Sequence, residues 1–155
     1  MDAADQELYE KYAAELTRFA TAVVGPGDAE DVVSSAVLKA MYSRRWAGVR
    51  NPRAYLYRAV LNEARSLQRS SSRRLRREQG VSIRDGFNPE NLHPEVLDAV
   101  RDLSVRQRAV VMLTYWSDLD PRSIGLLIGI SEGTVKRHLA RARAKLRERL
   151  DDDIG

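Results

Sequence analysis

The sequence predicts an all-α protein of two small helical domains joined by a flexible linker, the second a four-helix domain with a helix-turn-helix. Three observations carry this. Apolar residues recur with helical period throughout, and no segment alternates with period two. From about Ser70 to His93 that period disappears, and Ser, Arg, Gly80, Gly86, Pro89 and Pro94 gather in its place. The chain of 155 residues suits one ordinary domain or two very small ones.

The first helix is marked by Leu8, Tyr12, Leu16, Phe19 and Val23, and Gly25-Pro26-Gly27 ends it. Asp28 is the expected cap of the second, whose buried face holds Val32, Val33, Ala36, Val37, Ala40 and Met41. Gly48 and Asn51-Pro52 interrupt the pattern. A third helix follows with Leu56, Ala59, Val60, Ala64 and Leu67 inward, and it runs into the Ser/Arg-rich block. Beyond the linker, Pro94 opens a short helix, and Ser104 with Gln107 forms a capping box for the next. Asp120 and Pro121 start another, Gly129 ends it, and Ser131 caps the final helix.

Charge narrows the function classes. The net charge of +4 hides an asymmetry: eight acids fall in the first 31 residues, against Lys11 and Arg18. Basic charge concentrates in two blocks. Six Arg and no acid lie from Arg65 to Arg77, and seven Lys and Arg face one acid between Thr134 and Arg149. Such clusters suit a polyanionic partner, although a solvated helix face carries similar charge. No cysteine is present, and His93 and His138 are too far apart for a short metal-ligand spacing, so no metal and no cofactor is expected. No apolar run approaches the ~18 residues that span a bilayer, and the acidic start does not resemble a signal peptide, so a cytoplasmic protein is expected, with no membrane partner.

Two faces are candidate binding sites. The segment "DPRSIGLLIGISEGTVKRHLARA" has helix-turn-helix anatomy, with Gly125 where two helices must approach, Gly129 at the turn, and Ile124, Leu127, Ile130, Val135 and Leu139 as a shared core. In the last helix Val135, Leu139, Ala142, Leu146 and Leu150 face inward. Thr134, Lys136, Arg137, Arg141 and Lys145 are left outside, where a recognition helix meets base edges and phosphates. Arg143 and Lys145, farther along, suit phosphate rather than bases. The second face is on the third helix, where Tyr55, Arg58, Asn62, Arg65 and Arg69 recur at spacings of three, four, three and four. Aromatic and guanidinium planes stack on unpaired bases, and positive charge tracks a backbone.

In their order, "DAEDVVSSAVLKAMYS", "NPRAYLYRAVLNEARSLQR", "LSVRQRAVVMLTYWSDL" and "IGISEGTVKRHLARARAKLRERL" resemble a bacterial extracytoplasmic-function (ECF) sigma factor over nearly the whole chain. The resemblance implies a dissociable promoter-recognition subunit whose partners are core RNA polymerase and promoter DNA, and it leaves a place for an anti-sigma factor. It implies residues 1–72 as the domain for polymerase and the minus-ten element, 73–93 as linker, and 94–150 as the domain for the minus-thirty-five element. Residue by residue, Thr134, Lys136, Arg137, His138 and Arg141 would read the minus-thirty-five duplex. Trp46, Asn51, Tyr55, Arg58, Asn62 and Arg65 would capture and melt the minus-ten element, and Asp31, Val33, Ser34 and Leu38 would meet the polymerase clamp. The chain departs from the family pattern at Ser34 and Ser35, where Gln and an acid are usual, at Tyr55, where Trp is usual, and at Leu61, Arg137 and His138.

Two rival classes are weaker. A stand-alone helix-turn-helix regulator uses the second domain but gives the Tyr55–Arg69 stripe no role. An enzyme is not expected, because no Ser/His/Asp, metal or phosphate-loop spacing occurs and no residue stands out as catalytic.

Overall fold

A computed structural model describes residues 2–75 and 94–154, and every regular element among them is helical. The helices separate into two compact units, α1–α3 and α4–α7. The expected linker, 73–93, overlaps the end of α3 at 73–75; the rest of it, with His93, lies outside the described residues.

In the first unit α1 (Ala3–Val24), α2 (Pro26–Met41) and α3 (Pro52–Leu75) pack pairwise against one another. Asp2 caps α1, its Oδ1 accepting from the Asp5 N–H at 2.8 Å. Gly25, at φ 88°, closes α1 through its N–H to Thr21 O and opens α2 directly. The expected cap at Asp28 is therefore displaced. Pro26 takes the first helical position, where its missing N–H costs nothing, and Asp28 lies inside the first turn, its charge facing the positive end of the helix.

Leu16, Phe19, Val23, Val33, Val37, Leu56 and Val60 fill the centre of this core. Ala54, Tyr57 and Leu61 are buried as well, which the sequence pattern did not mark, while Ala59 and Leu67 are only half-buried. The Phe19 and Tyr57 rings lie 4.8 Å apart. Around Tyr57, Glu15 on α1 accepts from the Tyr57 hydroxyl at 2.8 Å and from Arg53 Nε at 2.6 Å, so one carboxylate ties α1 to α3. Burial, then the Glu15 hydrogen bond, push the Tyr57 hydroxyl well above its ordinary range and keep it a donor. Burial opposes the charge on Arg53, but Glu15 outweighs it and the guanidinium is held more firmly protonated.

The second unit contains α4 (Pro94–Arg101), α5 (Val105–Tyr115), α6 (Pro121–Ile128) and α7 (Glu132–Ile154), with α7 packed on the other three. Both halves of the α5 capping box form: Ser104 Oγ accepts from Gln107 N at 3.1 Å and Gln107 Oε1 accepts from Ser104 N at 3.1 Å. Asp120 caps α6 by accepting from Ser123 N at 2.7 Å, and these Ser123 hydrogen bonds hold its carboxyl below the usual carboxylate range.

Candidate nucleic-acid and polymerase interfaces

The turn between α6 and α7 is set by two glycines. Gly129 adopts φ 78°, ψ 34°, the left-handed conformation that side chains resist, and its N–H closes α6 on Gly125 O at 2.9 Å. Gly125 lies where the chain returns: a Cβ built there would be 2.5 Å from Ile130 O. Ile124, Leu127, Val135 and Leu139 are buried beneath the turn, and Ile130 is half-buried. This is helix-turn-helix geometry, with α7 as the presenting helix.

Ser131 caps α7, accepting from Thr134 N at 3.1 Å, and its hydroxyl meets the Thr134 hydroxyl at 2.7 Å. Thr134 Oγ1 also accepts from Arg137 Nη2 at 3.1 Å, which orients the exposed guanidinium near the start of the helix. Lys136 is exposed and pairs with Glu132 at 3.4 Å, and Arg141 is exposed one turn beyond Arg137. His138 is different. It is half-buried, its Nδ1 is buried without a hydrogen-bond partner, and burial followed by the charges of Arg106, Arg141 and Arg137 lowers its pKa. Arg106, on α5, was not marked by the sequence pattern; its Nε is likewise buried and unpartnered. Its approach to His138 spans 32 positions and has no local signature.

Two expected phosphate ligands have other attachments. Arg143 Nε donates to the Tyr115 hydroxyl at 2.8 Å with its guanidinium 5.8 Å from that ring, and Lys145 Nζ donates to Gln107 Oε1 at 3.2 Å. Arg149 pairs with Asp102 at 3.2 Å. These exposed side chains tie α7 to the rest of its own unit, whereas Lys136 and Arg137 bond to Glu132 and Thr134 of α7 itself and Arg141 is exposed a turn beyond.

In the first unit, Tyr55, Arg58, Asn62 and Arg65 share one face of α3. Arg58 and Asn62 are exposed, and Tyr55 and Arg65 are half-buried. Asn51 caps α3, Oδ1 accepting from Ala54 N at 3.1 Å. Its side-chain acceptor is thereby engaged, whatever else the residue does. Trp46 opens a short 3-10 turn (Trp46–Gly48), and its ring meets Tyr55 edge-on at 5.8 Å. Trp46, Tyr55 and the α3 stripe are therefore brought together.

On α2, Asp31, Ser34 and Leu38 line the outer face, and Leu38 is 45% exposed. Val33 is only 1% exposed and belongs to the core, so its side chain offers no contact surface. Helical period places it there: Val33, Val37 and Ala40 follow at spacings of four and three along the inward stripe. Tyr42, 73% exposed, extends the outer face one turn past Leu38 and was not marked by the pattern. Glu63 of α3 accepts from Ser35 Oγ at 3.0 Å and from Lys39 Nζ at 2.9 Å, linking the outer edge of α2 to α3.

Two folded units, one with a basic helix-turn-helix and one with a stackable, cationic stripe, define a nucleic-acid-binding protein. Its class is that of its relatives. Residues 8–74 match the model for sigma-70 region 2, and residues 93–146 match that for sigma-70 region 4. The chain is 32% identical to the ECF RNA polymerase sigma factor SigL of Mycobacterium tuberculosis, over 94% of this chain and 88% of that one. It is 31% identical to the RNA polymerase sigma-E factor of Streptomyces antibioticus, over 83% and 74% respectively. Among solved structures it is similar to CnrH in complex with the cytosolic domain of CnrY, at TM-score 0.64 and 25% identity, covering 97% of this chain and 89% of that one. Its fold is also that of Bartonella quintana RpoE in complex with the anti-sigma factor NepR, at TM-score 0.65 and 24% identity, covering 94% and 96%. This chain belongs to the ECF sigma factors of the sigma-70 family. The region 2 match accounts for α1–α3, which a stand-alone helix-turn-helix regulator leaves without a role.

Proposed function

We propose that the chain acts, without catalysing a reaction itself, as the subunit that gives core RNA polymerase its promoter choice in the cytoplasm. Asp31, Ser34 and Leu38 on the outer face of α2 meet the polymerase. Trp46, Asn51, Tyr55, Arg58, Asn62 and Arg65 engage the minus-ten element as it opens, and Thr134, Lys136, Arg137, His138 and Arg141 read the minus-thirty-five duplex. Residues 1–72 and 94–150 form the two working domains, with 73–93 between them. SigL and the sigma-E factor, by their names, serve RNA polymerase, and the protein seated on RpoE is an anti-sigma factor; a partner of that kind suits this chain equally.

The carrying observation is the combination on one chain of two faces that no single duplex contact requires. The α7 face has groups for base edges and phosphates of a duplex. The α3 face instead offers Tyr55 and Trp46 planes beside guanidinium groups, which suit unstacked bases. A protein with both recognises one element closed and another open, and strand opening needs the polymerase. Incubation with core RNA polymerase in the absence of DNA tests this. Co-elution in a stable complex is expected, and a chain that stays separate at micromolar concentrations refutes the reading.

A further inference from the structure

We infer that Asp5 is a positioning residue for strand capture: from the first turn of α1 it fixes the Trp46 indole, and through Trp46 the ring of Tyr55. The inference rests on the assignment of Trp46 and Tyr55 to the minus-ten strand.

The segment between α2 and α3 makes mostly local hydrogen bonds. Trp46 N donates to Ser43 O, Gly48 N to Arg45 O and Val49 N to Trp46 O, each at 3.1 Å. Such turns shape the segment without attaching it elsewhere. The indole is the exception: Trp46 Nε1 donates to Asp5 Oδ1 at 2.9 Å, across 41 positions of sequence. A carboxylate acceptor makes this bond stronger than a neutral one, and half-burial of both residues shields it from water. Asp5 is itself held, because its backbone N–H donates to the Asp2 cap and its charge lies in the first turn of α1, where the helix dipole favours an anion. The fixed indole presents its ring to Tyr55 at 5.8 Å and an interplanar angle of 62°. Tyr55 is half-buried and Trp46 is not a core residue, so neither ring is immobilised by close packing alone. A stacking platform already fixed before the base arrives avoids the loss of rotamer freedom on binding. Asp5 accordingly gives an acid of the N-terminal helix a task in DNA opening, although acids there repel phosphate.

Reconstituted holoenzyme carrying Asp5→Ala, Asp5→Asn or Trp46→Phe tests this by comparing open-complex formation on duplex promoters with that on templates already mismatched across the minus-ten region. Freeing one or two rings should slow opening of the duplex about 3- to 10-fold, with a much smaller effect on the mismatched template. Asp5→Asn, which keeps an acceptor oxygen, should retain more activity than Asp5→Ala. Trp46→Phe keeps a ring but not the N–H, and the double variant with Asp5→Ala should lose no more than Trp46→Phe alone. Duplex opening at the wild-type rate by both Asp5→Ala and Trp46→Phe overturns the inference, and so does an equal loss on both templates, which marks a general folding contact. Failure of the unmodified holoenzyme to initiate on either template instead refutes the sigma reading itself, so the two failures are distinguishable.

Discussion

Arg137 shows how a few atoms decide what a residue does. Its Nη2 donates to Thr134 Oγ1 at 3.1 Å, so in the proposed complex it would enter the groove already oriented, with its planar fork free to bond guanine twice. Arg137→Ala is expected to cost about 1–3 kcal/mol on the preferred upstream element and to relax discrimination at one or two base pairs, as titration against a small sequence library would show. His138 makes a pH-dependent contribution. In the free chain burial and then Arg106, Arg141 and Arg137 lower its pKa, so it is neutral at pH 7; a phosphate beside it favours the charged form. If His138 meets the minus-thirty-five duplex as proposed, binding takes up a proton, and minus-thirty-five affinity should strengthen as pH falls from 7.5 to 6, with His138→Gln losing that slope. The same depression makes the unfolded chain the better proton acceptor. His138's contribution to stability is thus full above about pH 6.5 and declines as pH falls below it. At this scale the sequence showed which residues stand outside α7 but not what they touch. Arg143 and Lys145 belong to the same basic run as Lys136, Arg137 and Arg141, yet Tyr115 and Gln107, 28 and 38 positions away, engage them.

The helices were legible where local chemistry decides them. Ser104 and Gln107, Asp120 and Pro121, Gly129 and Ser131 each act as the sequence suggests, because a cap satisfies donors within three residues of itself. Asp28 failed as a cap because the alternative start at Pro26, two residues earlier, required no side-chain acceptor. The α6–α7 contact gives a prediction at the same scale. Gly125→Val would force branched carbons against the Ile130 carbonyl and should cost about 2–3 kcal/mol in denaturant unfolding of the chain, with Gly125→Ala milder because one methyl requires less displacement. On α2, Val33 and Leu38 separate interior from surface. Leu38→Ser should leave the circular dichroism spectrum unchanged and weaken core-polymerase binding by about 1–2 kcal/mol, the size of a peripheral apolar contact. A spectrum that loses helix instead would make Leu38 a structural residue.

Across the whole molecule, the proposed roles give the acidic start, the stripe on α3 and the basic α7 to one activity divided between two units. With few phosphate contacts each, the free chain should hold duplex DNA only at about 10⁻⁴ to 10⁻⁶ M, and weaken steeply as salt rises. Holoenzyme, which engages both elements together, should gain specificity from their combined contacts. The division into two helical units was readable from the loss of period after Ser70. The Glu15–Arg53–Tyr57 tie and the Glu63 bridge were not, because each joins helices through partners 24 to 42 positions apart. The most direct measurement is mapped transcription from duplex templates by core polymerase with and without this chain. Starts at one defined position downstream of a shared pair of promoter elements, seen only when the chain is added, are the predicted result. Unchanged starts, together with tight sequence-specific DNA binding by the free chain, would contradict the account.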